Sequence, residues 1–372
     1  MSDHSFIPLC VPQIEGNEWQ YVKECLDTTW VSSGGAFVNR FEEEFRAYLG
    51  CRNAVAVVNG TAALHLALVS LGIGPGDEVI VPSMTFVAPV NAVRYTGADP
   101  VFCDVRRDTF VLDEEKIEQL ITPRTKAIMP VHIYGQAVEM DALMKIAGLH
   151  GLRVIEDATE ALGGGYRGQK LGTIGDMGCF SFNGNKIMTT GGGGMLVTNN
   201  TKWGAKARYL STQSKTVMAN RGFFHDSVGY NYRLPNILAA MGVAQLEKLP
   251  GYLIAKRSHA ALYNQLLKEI PGLTLPPEPE GVTGCFWLYS PVVEAEYGRT
   301  RDQLIQLMLT EKVETRPFFQ PVHQMPPYRE CRCGDLKVTS ELARKGINLP
   351  SSVGLKEDQI IRVAELVKKY RG

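Results

Sequence analysis

Lys186 is the residue whose type and setting most clearly suggest chemistry. It ends the segment Ser-Phe-Asn-Gly-Asn-Lys, residues 181–186, and a run of four glycines follows at residues 191–194. A lysine fixed on such a turn is suited to form an imine with a planar carbonyl cofactor, because its amine can act as a nucleophile. The alternative is a surface lysine in a glycine-rich loop.

Asp157 is a second candidate, upstream of Lys186. It follows the mostly apolar run at residues 152–155. A carboxylate at the carboxyl end of a buried strand points into the crevice where open α/β sheets bind ligands. Asp157 is therefore placed like the acid that pairs with the ring nitrogen of pyridoxal phosphate (PLP) and keeps it protonated. The alternative is a helix N-cap.

Residues 59–63, Asn-Gly-Thr-Ala-Ala, follow the strand-like run at residues 54–58 and precede an apolar helical pattern. A strand, a glycine turn and a helix start in that order present free backbone N–H groups and the positive end of the helix dipole to a phosphate. The hydroxyl of Thr61 can add a donor. The alternative is an ordinary strand-to-helix connection in which Thr61 caps the helix.

With these three motifs in this order, the chain resembles the DegT/DnrJ/EryC1/StrS family of sugar-nucleotide aminotransferases, a branch of the aspartate aminotransferase superfamily. The resemblance runs over essentially the full length. It is carried by residues 30–34, 59–63, 82–88, 130–135, 156–158, 181–186 and 229–234. It implies an α/β, aspartate aminotransferase-like fold (fold type I), with a large mixed, mainly parallel sheet and a smaller C-terminal α+β domain.

The resemblance also implies roles for residues around the cofactor PLP. Lys186 would hold PLP as a Schiff base and later move a proton, and Asp157 would pair with the ring nitrogen. Phe86 would lie against one face of the ring; the alternative is an ordinary core phenylalanine.

The phosphate of PLP would be bound by a second group of residues. Its members at the helix start are Gly60, Thr61 and Ala62, with Thr61 and Ala62 donating backbone N–H groups, and Ser181 would add its hydroxyl. Asn231 resembles the residue that reaches across a dimer interface to the phosphate in the other subunit. A homodimer with shared active sites is therefore expected.

Glu160 departs from the pattern of many family members, which carry glutamine three positions after the cofactor aspartate. Glutamine can donate a hydrogen bond to the cofactor phenolate, whereas an ionised carboxylate only accepts. Glu160 is therefore either protonated or reaches the phenolate through another donor. The alternative is a carboxylate in the first turn of a helix, facing the helix dipole.

Substrate contacts are predicted for residues in three segments. For each, packing within the protein is the alternative, and for His132 this means a core histidine. The residues are Trp30, Ser32 and Ser33 near the N-terminus, His132 and Tyr134 after a strand end, and His323 and Tyr328 in a proline-rich segment.

The predicted reaction moves an amino group from L-glutamate to C4 of a nucleotide-linked 4-keto-6-deoxy sugar. The segment at residues 181–186 resembles that of members acting on UDP-linked 2-acetamido sugars. GDP-4-keto-6-deoxymannose, which would give perosamine, is the alternative acceptor. A PLP-dependent sugar dehydratase, in which histidine replaces the lysine, and a non-catalytic homologue are rivals of another class, and Lys186 argues against the dehydratase.

Composition favours some classes of protein over others. The 372 residues carry 39 basic and 39 acidic side chains, so the basic excess expected of a nucleic-acid binder is absent. The first residues lack a signal-peptide pattern, and no 18 consecutive residues are apolar, so a cytoplasmic protein without a membrane segment is expected. The eight cysteines lack metal-site spacing, so no metal site is predicted.

Alternating strand-like and helical patterns predict parallel strands joined by crossover helices. The strand-like runs are residues 54–58, 78–81, 100–103, 126–131 and 152–156, and the helical patterns are residues 61–71, 85–95, 113–121 and 139–149. Antiparallel strands are expected at residues 178–182 and 194–198, on either side of the lysine segment. The pattern of elements changes near residue 246, which predicts a large PLP-binding domain at 1–245 and a small domain at 246–372. In the small domain a helix is predicted from about residue 246 to about 269, and a strand at residues 286–293.

Overall fold

The computed structural model describes residues 5–218 and 222–372. This part of the chain forms ten α-helices and sixteen strands. The helices are α1 Glu18–Asp27, α2 Ala36–Leu49, α3 Gly60–Ser70, α4 Ala88–Tyr95, α5 Met140–His150, α6 Thr201–Ser211, α7 Asn236–Leu267, α8 Arg301–Thr310, α9 Lys337–Lys345 and α10 Glu357–Lys369.

Seven of the strands form the large sheet and the other nine form small two- and three-stranded sheets. The large-sheet strands are β1 Asn53–Val57, β2 Glu78–Pro82, β3 Asp99–Cys103, β4 Thr125–Ile128, β5 Arg153–Asp157, β8 Met177–Ser181 and β9 Gly194–Thr198. The small-sheet strands are β6 Gly165–Tyr166, β7 Gln169–Lys170, β10 Lys215–Met218, β11 Gly222–His225, β12 Leu273–Thr274, β13 Val282–Thr283, β14 Val292–Val293, β15 Arg316–Pro317 and β16 Ile347–Asn348.

The large sheet has the strand order β1-β9-β8-β5-β4-β2-β3. Strand β9 is antiparallel to both of its neighbours, and the pairs further along the sheet, from β8 to β3, are all parallel. The sheet is therefore mixed but mainly parallel, as predicted. The carboxyl ends of β1, β5 and β8 consequently meet at one edge of the sheet.

Both faces of the sheet are covered, which explains why its strands are almost continuously apolar. Successive residues of β5 pack into different hydrophobic clusters: Val154 belongs to one and Ile155 to the other. A third cluster joins the end of α7 to α8 and α10 and includes Tyr263 and Leu304. Ile7, near the N-terminus, also packs into this third cluster.

Two predicted elements differ from the observed ones. Residues 113–121 form two 3-10 turns, Glu114–Lys116 and Glu118–Leu120, rather than a helix, and the Asp113 side chain caps the first by accepting from the N–H of Glu115. The strand-like run at residues 286–293 is regular strand only at Val292–Val293. The apolar side chains of both segments reflect burial rather than a regular backbone.

Helix α7 extends across the predicted domain boundary. It begins at Asn236, ten residues before position 246, and continues to Leu267 with Pro250 in its interior. The division into residues 1–245 and 246–372 stays a prediction.

Candidate active site

A cavity of about 590 Å³ lies at the carboxyl ends of β5 and β8 and beside the start of α3. Such a crevice at the ends of parallel strands is where open α/β sheets bind ligands. Seven of the predicted site residues line it. They are Gly60, Thr61, Phe86, Asp157, Glu160, Ser181 and Lys186.

Asp157 is the last residue of β5 and is almost completely buried, with 2% of its surface exposed. Its N–H donates to the carbonyl of Pro130 at 2.9 Å, and its Oδ1 accepts from the N–H of Thr159 at 3.0 Å. Burial raises the pKa of the Asp157 carboxyl, because a charge is poorly solvated there. Residues 158–164 form turns, so Asp157 is not the N-cap of a helix.

The start of α3 is capped by Asn59. Its side-chain oxygen accepts from the N–H of Ala62 at 2.7 Å. In this conformation the capping side chain already uses that donor, and the phosphate contact through the N–H of Ala62 stays a prediction. In the described part of the chain, the N–H groups of Gly60 and Thr61 have no protein acceptor and remain available to an anion.

Gly60 is required by a close approach between α3 and β8. A Cβ atom at this position would lie 2.9 Å from the Cβ of Ser181 and 3.1 Å from the Cγ2 of Thr159. Without that Cβ, the helix start, the Ser181 hydroxyl and the end of β5 converge on the same end of the cavity. Three potential hydrogen-bond donors for an anion are thereby brought together.

Lys186 projects into the cavity from the loop between β8 and β9. Its side chain is 14% exposed, and its Nζ lies 3.6 Å from Oε1 of Glu160 and 3.7 Å from the centre of the Trp287 ring. The N–H of Lys186 donates to the carbonyl of Asn183 at 3.0 Å, which fixes the turn. The amine is therefore held inside the cavity rather than in bulk solvent.

Glu160 is buried beside Lys186. Its Oε2 accepts from the N–H of Tyr134 at 2.8 Å, and burial raises the pKa of its carboxyl while the Lys186 charge opposes that shift. The alternative that Glu160 sits in the first turn of a helix is wrong, because residues 158–164 are turns. Its second oxygen faces the lysine amine.

His132 lies next to this site but does not line the cavity. It is fully buried; its Nε2 lies 3.0 Å from Oε2 of Glu156, and its Nδ1 accepts from the N–H of Val138 at 3.2 Å. Protein groups occupy both ring nitrogens, as the core-histidine alternative describes, and this placement gives no support to the predicted substrate contact.

Tyr134 is likewise buried behind the cavity wall. It has a positive φ of 54°, and its hydroxyl accepts from the N–H of Phe319 at 3.0 Å. Its contribution is to hold Glu160 and Phe319, both of which line the cavity. A direct substrate contact of Tyr134 is not supported by this placement.

The proline-rich segment also packs away from the cavity. Nδ1 of His323 lies 2.6 Å from the hydroxyl of Ser83, and Tyr328 is 7% exposed with its hydroxyl bonded to Asn91. Neither side chain lines the cavity. In the single chain, both His323 and Tyr328 pack against other parts of the protein, as the packing alternative predicts.

Trp30, Ser32 and Ser33 are exposed and do not line the cavity of their own chain. Asn236 ties this segment to α7: its Nδ2 donates to the carbonyl of Trp30 at 2.7 Å, and its N–H donates to that of Ser32 at 2.9 Å. Asn231 is also exposed and outside the cavity.

One cavity therefore holds both anion donors, at the start of α3, and the amine of Lys186, 3.6 Å from the buried carboxyl group of Glu160. Comparison with known proteins then decides the family. The model of the DegT/DnrJ/EryC1/StrS aminotransferase family matches residues 12–368. The chain belongs to this family.

Relatives agree with this family over nearly their whole length. The chain is 48% identical to GDP-perosamine synthase of Caulobacter vibrioides, over 98% of each chain. It is 41% identical to GDP-perosamine synthase of Vibrio cholerae, over 98% of this chain and 99% of the relative. A putative sugar aminotransferase of Streptococcus pneumoniae in its PLP form superposes with a TM-score of 0.92 at 26% identity, over 98% of each chain.

Membership of the DegT/DnrJ/EryC1/StrS family confirms three predictions: the aspartate aminotransferase-like fold, the cofactor PLP and the activity of a sugar-nucleotide aminotransferase. The rival classes, a dehydratase and a non-catalytic homologue, are not favoured. Among the described residues, no group of three or more His, Cys, Asp and Glu side chains is arranged to hold a metal ion. In the same part of the chain, no helix is both long and apolar enough to cross a membrane.

The residues of this family member fit PLP by their chemistry. A buried carboxyl at Asp157 suits a protonated ring nitrogen, and the free N–H groups of Gly60 and Thr61 suit a phosphate. Ser181 accepts from the N–H of Asn183 at 3.4 Å, so its hydroxyl proton can serve the same phosphate. The aromatic ring of Phe86, 55% exposed, lines the cavity as a planar surface.

Trp287 is a cavity residue that the sequence did not reveal. It lies in an apolar run predicted as a strand, and nothing in its local pattern connects it to Lys186, which is far away in the sequence. Asn59 was missed as a cap although asparagine immediately before a helix is a recognised capping signal. Arg316, Phe319 and Gln320 also line the cavity and were not predicted.

Proposed function

We propose that this protein transfers the amino group of L-glutamate to C4 of GDP-4-keto-6-deoxymannose and so forms GDP-perosamine. The observation that carries the proposal is the identity of 48% with GDP-perosamine synthase of Caulobacter vibrioides over 98% of both chains. The Vibrio cholerae protein of the same name supports it at 41%. Their agreement favours a GDP-linked acceptor over the UDP-linked 2-acetamido sugar that residues 181–186 suggest.

Different residues of the cavity would carry out different parts of such a transfer. PLP, when bound, supplies an electron sink for the carbon from which a proton is removed. The amine of Lys186 would take that proton and return it; among the described residues, Lys186 is the lysine that lines the cavity, which supports this role. The carboxylate of Asp157 would hold the positive charge on the ring nitrogen.

Binding of the cofactor phosphate would use the residues at and beside the start of α3. The N–H groups of Gly60 and Thr61, at the positive end of α3, and the Ser181 hydroxyl would donate to the phosphate. Phe86 would pack on the ring face and hold its plane. The apolar wall formed by Phe86 and Phe319, whose ring centroids are 5.8 Å apart, would exclude water from that side.

The active form is proposed to be a homodimer with shared sites. Asn231, Trp30, Ser32 and Ser33 are exposed and lie outside the cavity of their own chain. Contact with a neighbouring subunit's ligands is consistent with that placement, and a two-fold interface would complete both sites at once.

A comparison of the two acceptors tests the proposal. GDP-4-keto-6-deoxymannose and the UDP-linked 2-acetamido-4-keto sugar are offered separately with L-glutamate, and kcat/KM is compared. A clear preference for the GDP sugar is expected. A preference for the UDP sugar would overturn the acceptor, and amination of neither sugar would overturn the proposed reaction.

A further inference from the structure

Trp287 makes two contacts that converge on the reactive lysine. The face of its indole lies 3.7 Å from Nζ of Lys186, and its Nε1 donates to the carbonyl of Asn185, the preceding residue, at 2.7 Å. One side chain thus holds both the amine of Lys186 and the backbone that carries it. An ammonium over an indole face is attracted by the ring quadrupole.

Trp287 is itself held rigidly. It is 4% exposed, and its carbonyl accepts from Nζ of Lys256, a fully buried lysine of α7, at 2.7 Å. Its ring also stacks on that of Tyr134, with centroids 6.4 Å apart and an interplanar angle of 23°. The position of the indole is therefore set by α7 on one side and by the cavity wall on the other.

Glu160 faces the same amine from another direction. Its Oε1 lies 3.6 Å from Nζ of Lys186, while its Oε2 is fixed by the N–H of Tyr134. Tyr134 thus supports both neighbours of the amine. A lysine side chain is a flexible four-carbon chain, and it loses considerable conformational entropy when it is held in one place.

We propose that Trp287 and Glu160 are positioning residues that seat the Lys186 amine in the cavity, ready to attack PLP. The indole restricts the side chain from one face and ties down its backbone. The carboxylate of Glu160, 3.6 Å away, holds the ammonium from another direction and can accept its proton, which leaves the neutral amine to attack. Trp287 acts through Lys186, so it is not expected to contribute to PLP affinity when the lysine is absent. This role depends on PLP chemistry but not on which sugar nucleotide is the acceptor.

The test follows covalent attachment of PLP to the PLP-free full-length chain, in which the amine replaces the aldehyde oxygen and water is released. Stopped-flow absorbance gives the rate, and borohydride trapping with mass spectrometry shows that the label is on Lys186. Trp287→Leu should slow attachment roughly tenfold, the scale of a desolvated cation–π contact. Trp287→Phe keeps an aromatic face but loses the N–H, so its effect should be smaller.

A second measurement separates positioning from a general structural effect. PLP affinity is measured by equilibrium dialysis in a Lys186→Ala background, with and without Trp287→Leu. Equal PLP affinities are expected with and without Trp287→Leu. In the attachment-rate measurement, Glu160→Gln in the otherwise wild-type chain should also slow attachment. Trp203→Leu is the matched control, because Trp203 packs against Arg153 outside the cavity and its loss should leave attachment unchanged.

An unchanged attachment rate in Trp287→Leu would overturn the proposal. Weaker PLP binding caused by Trp287→Leu in the Lys186→Ala background would also overturn it, since Trp287 would then act on the cofactor pocket itself. If Trp287→Leu does not fold, Trp287→Phe decides by the same two measurements. No sugar nucleotide is used, so failure here leaves the proposed acceptor untouched.

Discussion

The buried carboxylate of Glu156 lies 3.0 Å from Nε2 of His132. Glu156 immediately precedes Asp157 in the sequence. The same carboxylate accepts from the N–H groups of Gly172, Ile174 and Gly175 at 2.6–2.7 Å. Because Nδ1 of His132 accepts from Val138, the neutral ring carries its proton on Nε2 and donates to Glu156. This network anchors the end of β5 and thereby fixes where Asp157 points.

Glu156→Gln should destabilise the protein strongly. The amide group would turn an acceptor into a donor facing buried N–H groups, and each unsatisfied buried group costs roughly 1–3 kcal/mol. Urea unfolding gives the change in the free energy of unfolding. Glu118→Gln is the matched control, because the Glu118–His150 pair is exposed and should change stability by less than about 0.5 kcal/mol. Equal effects of the two substitutions would contradict the anchoring role.

Lys186→Ala should abolish amino transfer. Among the described residues, no other lysine lines the cavity, so no second amine is placed to bond PLP or to move the proton. Product formation is measured by mass spectrometry, and circular dichroism checks that the variant is folded. Turnover near that of the wild type would remove Lys186 from its assigned role.

Asp157→Asn should lower the rate and raise the stability of the PLP-free protein. Loss of the charge opposite the ring nitrogen should reduce kcat by roughly 10²-fold or more. In the PLP-free protein the pKa of Asp157 is raised above its ordinary 3.8 by burial, so ionisation favours the unfolded chain.

The stability of the PLP-free wild type should therefore fall, relative to Asp157→Asn, as the pH rises from below the ordinary carboxyl range through the raised pKa. Thermal unfolding of both proteins between acidic and neutral pH checks this. A constant difference over that range would mean that ionisation of Asp157 does not affect folding. Full activity of Asp157→Asn would separately remove its role at the ring nitrogen.

Asn231→Ala should weaken PLP retention if the homodimer shares its sites. Light scattering of the wild type should give a mass of at least twice the 41.0 kDa of one chain. Dialysis followed by absorbance measures retained PLP. A mass near that of one chain together with full activity would contradict the shared-site dimer.

Local patterns in the sequence predicted the large sheet well. Continuous apolar runs such as the one that ends at Asp157 form strands buried on both faces, and the glycine before Thr61 marks a helix start. Residues 113–121 were wrongly predicted as a helix because the buried Ile117 and Leu120 have helical spacing, although they lie in two short 3-10 turns. Helix α7 was assigned too late a start because its first turns are buried and almost wholly apolar.

Contacts across the cavity depend on packing between residues that are distant in the sequence, so local sequence patterns could not predict them. Asn59 takes the N–H of Ala62, which the resemblance had assigned to the phosphate, because its side chain reaches the capping position. Trp287 reaches Lys186 only through the packing of its segment against α7. His132 could be placed in the core only once its partner Glu156 was located in the structure.

Amino transfer to a GDP-linked sugar is the central claim, and one labelling experiment tests it most directly. The purified protein is loaded with PLP and incubated with GDP-4-keto-6-deoxymannose and L-glutamate carrying heavy nitrogen on its α-amino group, and the products are read by mass spectrometry. We predict a GDP-linked 4-amino sugar that carries the heavy nitrogen, together with 2-oxoglutarate. Recovery of the 4-keto sugar unchanged, from protein that aminates the UDP-linked 2-acetamido sugar under the same conditions, would contradict the claim.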